Sequence, residues 1–98
     1  MTLRPTEGAR FLLERSAESE DRATYRATIF TPDAEFHATL AMASDGSATL
    51  DAPTGAPAEL EHMLVTLAKL TARGADKRRE DGLVVWPPRI LRWRGPKG

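Results

Sequence analysis

The stretch TYRATIFTPDAEFHATLAMASDGSATLDA, residues 24–52, contains three runs in which polar and apolar side chains alternate. Alternation with a period of two residues is typical of a β-strand that has one buried and one solvated face. The runs cover residues 24–30, 35–42 and 48–52, and short segments rich in turn-forming residues separate them. The stretch therefore predicts three consecutive antiparallel strands, a β-meander.

The two turns are constrained because residues directly opposite each other in an antiparallel pair share a face. A two-residue turn at Asp45-Gly46 would give Met42, on the buried face, a partner on the solvated face. A three-residue loop that ends with Gly46 in the left-handed conformation instead pairs Met42 with Ala48. By the same reasoning, residues 31–34 form a four-residue loop. The predicted pairs are Met42 with Ala48, Leu40 with Leu50, Ile29 with Phe36 and Ala27 with Ala38.

An earlier segment, residues 10–17, contains three consecutive large apolar residues and predicts the first strand of the meander. Leu12 points to the opposite face from Phe11 and Leu13, so the pattern fixes no register for this strand. The acidic stretch 18–21 is expected to form the solvated turn that follows it.

The hydrophobic period changes after residue 55, and the new spacing of three and four residues is typical of an amphipathic helix. The apolar residues with this spacing are Leu60, Met63, Leu64, Leu67 and Leu70. Pro57 suits the first helical position, and Arg73-Gly74 suits the end of the helix. We expect this helix to pack on the apolar face of the sheet, and residues 77–82 to form a charged loop.

The last part of the chain combines a strand-like run with a basic tail. Residues 83–86 predict a strand that the two following prolines end, and we expect it to pair antiparallel with the first strand at the open sheet edge. The predicted fold is thus α+β. A four-stranded antiparallel β-meander is followed by one amphipathic helix packed on the sheet, with a C-terminal strand or extended segment. Residues 1–98 form a single domain, in which 83–98 are the C-terminal strand and the basic, Trp-containing tail.

Composition excludes several classes of protein. The chain has no Cys, which removes disulfides, thiolate nucleophiles and thiolate zinc sites, and we expect a cytoplasmic protein. No apolar run approaches the roughly 18 residues of a membrane span, so a soluble protein without a membrane partner is expected. Arg outnumbers Lys by 11 to 3, and Asn and Gln are absent. A GC-rich coding sequence explains such a bias, so Arg richness alone is weak evidence of function.

Patterns typical of catalysis or metal binding are absent from the sequence. His37 is predicted to point outward from its strand and His62 outward from the helix, so the two should not meet at a metal site. No HExxH, EF-hand, phosphate-binding Gly loop or GxSxG motif occurs. Catalysis would need His37 with Arg26 and Glu35 on the exposed sheet face. We therefore expect no enzymatic activity and no cofactor.

Charge is distributed unevenly along a chain whose net charge is zero. Residues 1–68 carry 5 basic and 11 acidic residues, whereas 69–98 carry 9 basic and 3 acidic residues. Trp and Arg are the residue types most enriched in interface hot spots. The candidate interaction surface consists of Trp86, Arg89, Arg92, Trp93 and Arg94. The leading hypothesis is a small non-enzymatic module that binds another protein or a second copy of itself as a homodimer.

Single-stranded nucleic acid binding through the same C-terminal segment is the alternative. Guanidinium groups contact phosphates, and indole rings stack on unpaired bases for about 1 to 3 kcal/mol each. Two observations weigh against nucleic acid binding. Asn and Gln, the usual readers of adenine, are absent from the sequence. The pI of about 6.7 is also far below the value of about 9 that is typical of nucleic-acid-binding domains. A small-molecule site on the sheet ranks third.

Overall fold

The computed structural model describes residues 4–95. The elements in chain order are β1 (Ala9–Glu18), β2 (Arg22–Phe30), β3 (Glu35–Ala43), β4 (Ala48–Leu50), α1 (Ala58–Arg73), α2 (Ala75–Glu80) and β5 (Arg89–Arg94). They form one five-stranded sheet of order β4-β3-β2-β1-β5, in which all neighbours are antiparallel. The predicted α+β class is confirmed: a meander, a helix packed on it and a C-terminal strand.

The predicted registers of the meander are confirmed as well. Met42 pairs with Ala48, and Leu40 with Leu50; Ile29 pairs with Phe36, and Ala27 with Ala38. Gly46 has a φ of 92°, the left-handed conformation that the three-residue loop requires. The four-residue loop is closed by a hydrogen bond of 2.9 Å from the Thr31 amide to the Ala34 carbonyl. Side-chain alternation and turn chemistry together thus determine how these strands pair.

The core lies between α1 and one face of the sheet, and the helix meets the sheet through small residues. Leu64, Ala68 and Ala72 are buried, whereas Leu70, predicted to belong to the buried stripe, is 58% exposed. The three buried residues recur every four positions and form the contact line. Because alanine side chains are short, the helix can approach the sheet closely along this line. Leu70 lies well round the helix from it and points to solvent.

The C-terminal strand occupies the predicted edge, against β1, but residues 83–86 do not form it. They are irregular, and the strand begins only after the prolines, at Arg89. The reason is the burial of Trp86, whose side chain is 1% exposed and joins the core. If residues 83–86 formed an extended edge strand, Trp86 would not anchor this segment in the core. The ladder instead begins beside Pro88, whose carbonyl accepts a hydrogen bond of 2.9 Å from the Arg15 amide.

The predicted charged loop at 77–82 is also corrected, because most of it is helical. Gly74 adopts a right-handed conformation (φ −85°, ψ −3°), so it does not stop the chain from turning on into α2. Ala75 is completely buried. The guanidinium of Arg78 donates to the carbonyls of Thr71 (2.7 Å) and Val85 (2.6 Å). The short helix is therefore held by contacts that a hydrophobic pattern does not reveal.

Four successive carbonyl groups, those of residues 85–88, each accept a hydrogen bond from elsewhere in the chain. Arg78 donates to Val85, the Arg15 side chain to Trp86 (2.6 Å), Tyr25 to Pro87 (2.7 Å) and the Arg15 amide to Pro88. A segment with two prolines has few amide groups of its own for pairing, so these acceptors fix its path. The segment in turn sets where β5 begins.

Candidate functional site

The five residues predicted to form an interaction surface separate into two groups. Trp86 lies in the core, and its indole Nε1 is buried with no hydrogen-bond partner among residues 4–95. The Trp86 side chain is therefore not part of the exposed surface. Arg89, Arg92, Trp93 and Arg94 all belong to β5 and are exposed.

Alternation along β5 divides these four side chains between the two faces of the sheet. Arg92 and Arg94 lie opposite Phe11 and Ala9 of β1, on the face that carries α1. Trp93 and Arg89 lie on the other face, and Arg89 is directly opposite Glu14 in the register. The basic groups therefore surround the strand instead of forming one flat patch.

A groove of about 530 Å³ runs between α1 and β5. It exists because α1 packs chiefly against β3 and β4, which leaves the β1 and β5 side of the sheet less covered. Its lining residues come from β1, α1 and β5: Phe11, His62, Met63, Thr66, Leu67, Leu70, Arg92, Trp93 and Arg94. The groove therefore joins the exposed face of the helix to the basic strand.

The groove combines apolar and basic groups and has no carboxylate in its lining. Leu70 and Trp93 are both more than half exposed, 58% and 54%. The Trp93 side chain points to the sheet face opposite α1, so Leu70 supplies the exposed apolar side chain within the groove. Arg92 and Arg94 contribute guanidinium groups, which donate hydrogen bonds and accept none. The chemistry of the groove thus complements a ligand that carries both apolar groups and carboxylates.

The N-terminal segment holds Trp93 in place. Arg4 forms an ion pair of 3.4 Å with Glu35 on β3, and the Trp93 indole Nε1 donates to the Glu7 carbonyl at 3.2 Å. The segment between them therefore crosses the sheet end on the face opposite α1. Gly8 follows with a φ of 73°, and a Cβ there would overlap the Arg94 carbonyl oxygen, so only glycine fits. Trp93 is consequently a fixed side chain with one exposed surface.

The helical half of this groove was not among the predicted site residues. The spacing of the large apolar residues alone predicts that Leu70 lies in the buried stripe. The alanines at 68 and 72 carry the missing signal, since a stripe centred on them turns Leu70 and its neighbours Met63 and Leu67 toward β5. Leu64 lies on the contact line with the two alanines, whereas Leu67 and Leu70 lie beside it and line the groove.

The exposed sheet face brings His37 close to Glu35, two of the three residues that catalysis would need. His37 Nε2 lies 3.6 Å from Glu35 Oε1, and His37 Nδ1 lies 3.3 Å from the Thr28 hydroxyl. Glu35 also pairs with Arg4. His62 lines the groove on the other side of the sheet, so the two histidines do not meet. Among residues 4–95, no cluster of three or more His, Asp or Glu side chains could hold a metal ion.

None of the helices between residues 4 and 95 has both the length and the apolar character needed to cross a membrane. The chain matches no protein-family model, no curated protein and no solved structure.

Proposed function

We propose that this protein is a small non-enzymatic interaction module whose groove between α1 and β5 binds a segment of another protein that carries carboxylates and apolar side chains. The observation that carries the proposal is the position of Arg92 and Arg94 beside the exposed side chain of Leu70, in a lining without acidic residues. Arginine is among the residue types enriched in hot spots, and the apolar residues Met63, Leu67 and Leu70 line the same groove.

Each part of the groove has a distinct energetic role. Covering Leu70 removes apolar surface from water, with a gain of about 25 cal/mol for each Å² buried. A guanidinium can bind a carboxylate through two parallel hydrogen bonds, which adds specificity. Because the arginines are exposed, salt screens their attraction before binding, and rising ionic strength should slow association. The apolar contacts should change little with salt.

Charge favours another protein over a second copy of this chain as the partner. Joining two copies through β5 would bring six arginine side chains into one two-stranded ribbon, from Arg89, Arg92 and Arg94 of each chain. Like charges that are close across strands are destabilising. A homodimer therefore remains an outcome of the test and is not our proposal.

Single-stranded nucleic acid binding is less well supported by the geometry. One of the two candidate stacking residues, Trp86, is buried in the core. The other, Trp93, lies on the opposite sheet face from Arg92 and Arg94. Bases stacked on the indole and phosphates bound to those arginines would therefore lie on different sides of β5.

Peptide selection tests the proposal directly. Random 12-residue peptides are displayed and selected on the wild-type protein, then counter-selected on the double variant Arg92→Glu with Arg94→Glu. We expect enrichment of peptides with Asp or Glu and apolar residues, and a chemical-shift change of the Leu70 methyl signals when they bind. The Trp86 indole signal provides an internal control and should not move.

Two results would overturn the proposal. Selected peptides that bind the double variant as well as the wild type would show that the groove arginines are not used. A short single-stranded oligonucleotide that shifts the Trp93 signal, with no peptide enriched, would favour the nucleic acid alternative. Analytical ultracentrifugation of the protein alone measures whether a second copy occupies the groove.

A further inference from the structure

The outer side of β5 is an open sheet edge, and the β1–β5 ladder determines which backbone groups face outward there. Residues directly opposite each other alternate between hydrogen-bonded and non-hydrogen-bonded pairs in an antiparallel ladder. The bond from the Arg15 amide to the Pro88 carbonyl identifies one bonded pair. Counting along the register from it, Ile90, Arg92 and Arg94 bond to β1. The residues whose N–H and C=O groups point outward are Arg89, Leu91 and Trp93.

Backbone and side chains along β5 therefore follow one alternating pattern. Leu91 and Trp93 present their peptide groups to the outer edge and their apolar side chains to the face opposite α1. Arg92 and Arg94 present their side chains to the face that carries α1, beside the groove. Within residues 4–95, no other strand pairs with this edge. An extended chain placed there would meet hydrogen-bonding groups, apolar side chains and guanidinium groups at defined, alternating positions.

Arg92 also protects the edge in the unbound protein. Its Nη1 donates a hydrogen bond of 2.9 Å to the carbonyl of Leu91, one of the outward groups. A charged side chain on an edge strand discourages pairing with unrelated chains. Both groups are exposed, so an incoming amide can replace the guanidinium at the carbonyl. Arg92 is then free to bind a carboxylate on the strand that displaced it.

We infer that the partner binds by strand addition: an extended segment with alternating acidic and apolar residues pairs antiparallel with β5 as a sixth strand. This inference rests on the proposed function and specifies how the partner binds. Carboxylates lie opposite Arg92 and Arg94 at the mouth of the groove, and apolar side chains lie opposite Leu91 and Trp93. Charge complementarity and the six-residue length of β5 support this edge, whereas β4, at the other edge, has only three residues.

Amide hydrogen exchange of the whole protein tests the inference with defined probes. The first probe is a capped seven-residue peptide with Glu at odd and Val at even positions. Its control has the same composition, with all four Glu residues before the three Val residues. We expect the alternating peptide to slow exchange of the Leu91 and Trp93 amides by about tenfold or more, and the control peptide to have no effect. The Arg92 amide, already bonded to β1, should not change.

Backbone N-methylation of the peptide provides a matched pair of variants. The Val amides should point toward β5 and the Glu amides away from it, because only the residues opposite Leu91 and Trp93 form bonded pairs. N-methylation of the central Val should weaken binding by about tenfold or more, through the loss of a hydrogen bond and a steric clash. N-methylation of the Glu beside it should change the affinity by less than about threefold.

The outcomes separate this inference from the proposed function. If selected or alternating peptides move the Leu70 methyl signals without slowing exchange of the Leu91 amide, strand addition is wrong and the groove proposal stands. If neither the selected peptides nor the alternating peptide binds, the proposed function itself is wrong. In the absence of peptide, exchange of the Leu91 and Trp93 amides could slow as the protein concentration rises. That result would show that a second copy occupies the edge, and it would overturn the inference of an acidic partner.

Discussion

The phenol of Tyr25 on β2 donates a hydrogen bond of 2.7 Å to the carbonyl of Pro87, 62 positions later in the chain. Tyr25 is completely buried, and burial raises the pKa of its hydroxyl to about 12, an effect that the charges of Arg15 and Arg78 partly oppose. The bond ties the centre of the meander to the segment that leads into β5. The geometry of the candidate surface therefore depends on a core residue.

Removal of the Tyr25 hydroxyl should measure that dependence. We expect Tyr25→Phe to lower the free energy of unfolding by about 1 to 3 kcal/mol, because the Pro87 carbonyl loses its donor inside the protein. Urea denaturation followed by circular dichroism gives the value. Ser16→Ala, which removes an exposed hydroxyl that donates to the Thr24 carbonyl, is the control and should cost less than about 0.5 kcal/mol. Equal effects of the two changes would contradict this account.

The raised pKa of Tyr25 predicts a loss of stability in alkali. Unfolded tyrosine loses its proton near pH 10, whereas the folded protein holds it to about pH 12. The contribution of this group is therefore fully present below pH 10 and is lost as the pH rises from 10 to 12, by about 2 to 3 kcal/mol in all. Because Tyr25 is the only tyrosine, tyrosinate absorbance reports its titration directly. A midpoint near 10 in the folded protein would refute the prediction.

Two leucines of α1 should respond very differently to truncation. Leu64 is completely buried in the core, so Leu64→Ala should cost about 2 to 5 kcal/mol. Leu70 is largely exposed beside the groove, so Leu70→Ala should cost less than about 0.5 kcal/mol of stability. Chemical denaturation of both variants checks the orientation of the helix. Similar losses at the two positions would mean that α1 is rotated from the arrangement described above.

Charge reversal should separate the two faces of β5 in peptide binding. We expect Arg92→Glu and Arg94→Glu each to weaken binding of the alternating Glu-Val peptide by about tenfold or more, since a like charge replaces a partner of the carboxylate. Arg89→Glu lies on the other face, farther from the groove, and serves as the matched control with a smaller effect. Isothermal titration calorimetry at two salt concentrations gives the affinities. A larger loss for Arg89→Glu would contradict the assignment of the groove.

The meander was predictable from sequence because its information is local. Alternation at residues 24–52 and the glycine at 46 determine strand faces and loop lengths without help from distant parts of the chain. The position of β5 was not predictable in this way. Val84, Val85 and Trp86 favour a strand by composition, but Trp86 is used as a core anchor, and the carbonyls around it are bound by side chains from β1, β2 and α2. Such long-range polar contacts leave no periodic trace in the sequence.

The candidate site, like the fold, was predictable from sequence only in part. The strand residues Arg92, Trp93 and Arg94 were identified by their chemistry, whereas the wall that faces them depends on how α1 is rotated. That rotation is set by Ala68 and Ala72, whose small size permits close contact. Residue type therefore identified one side of the groove, and packing determined the other.

Pairing of the first strand with the last, β1 with β5, also has a consequence for synthesis on the ribosome. The meander and α1 are translated before β5, so β1 is the edge of the nascent sheet during that interval. Its outer side then exposes the unpaired backbone around Phe11, Leu12 and Leu13, which is the kind of edge that pairs with other chains. Arrival of β5 exchanges this apolar edge for one that carries arginine. Within residues 4–95, β5 thus covers the outer edge of β1 and limits the time in which that edge can pair with another chain.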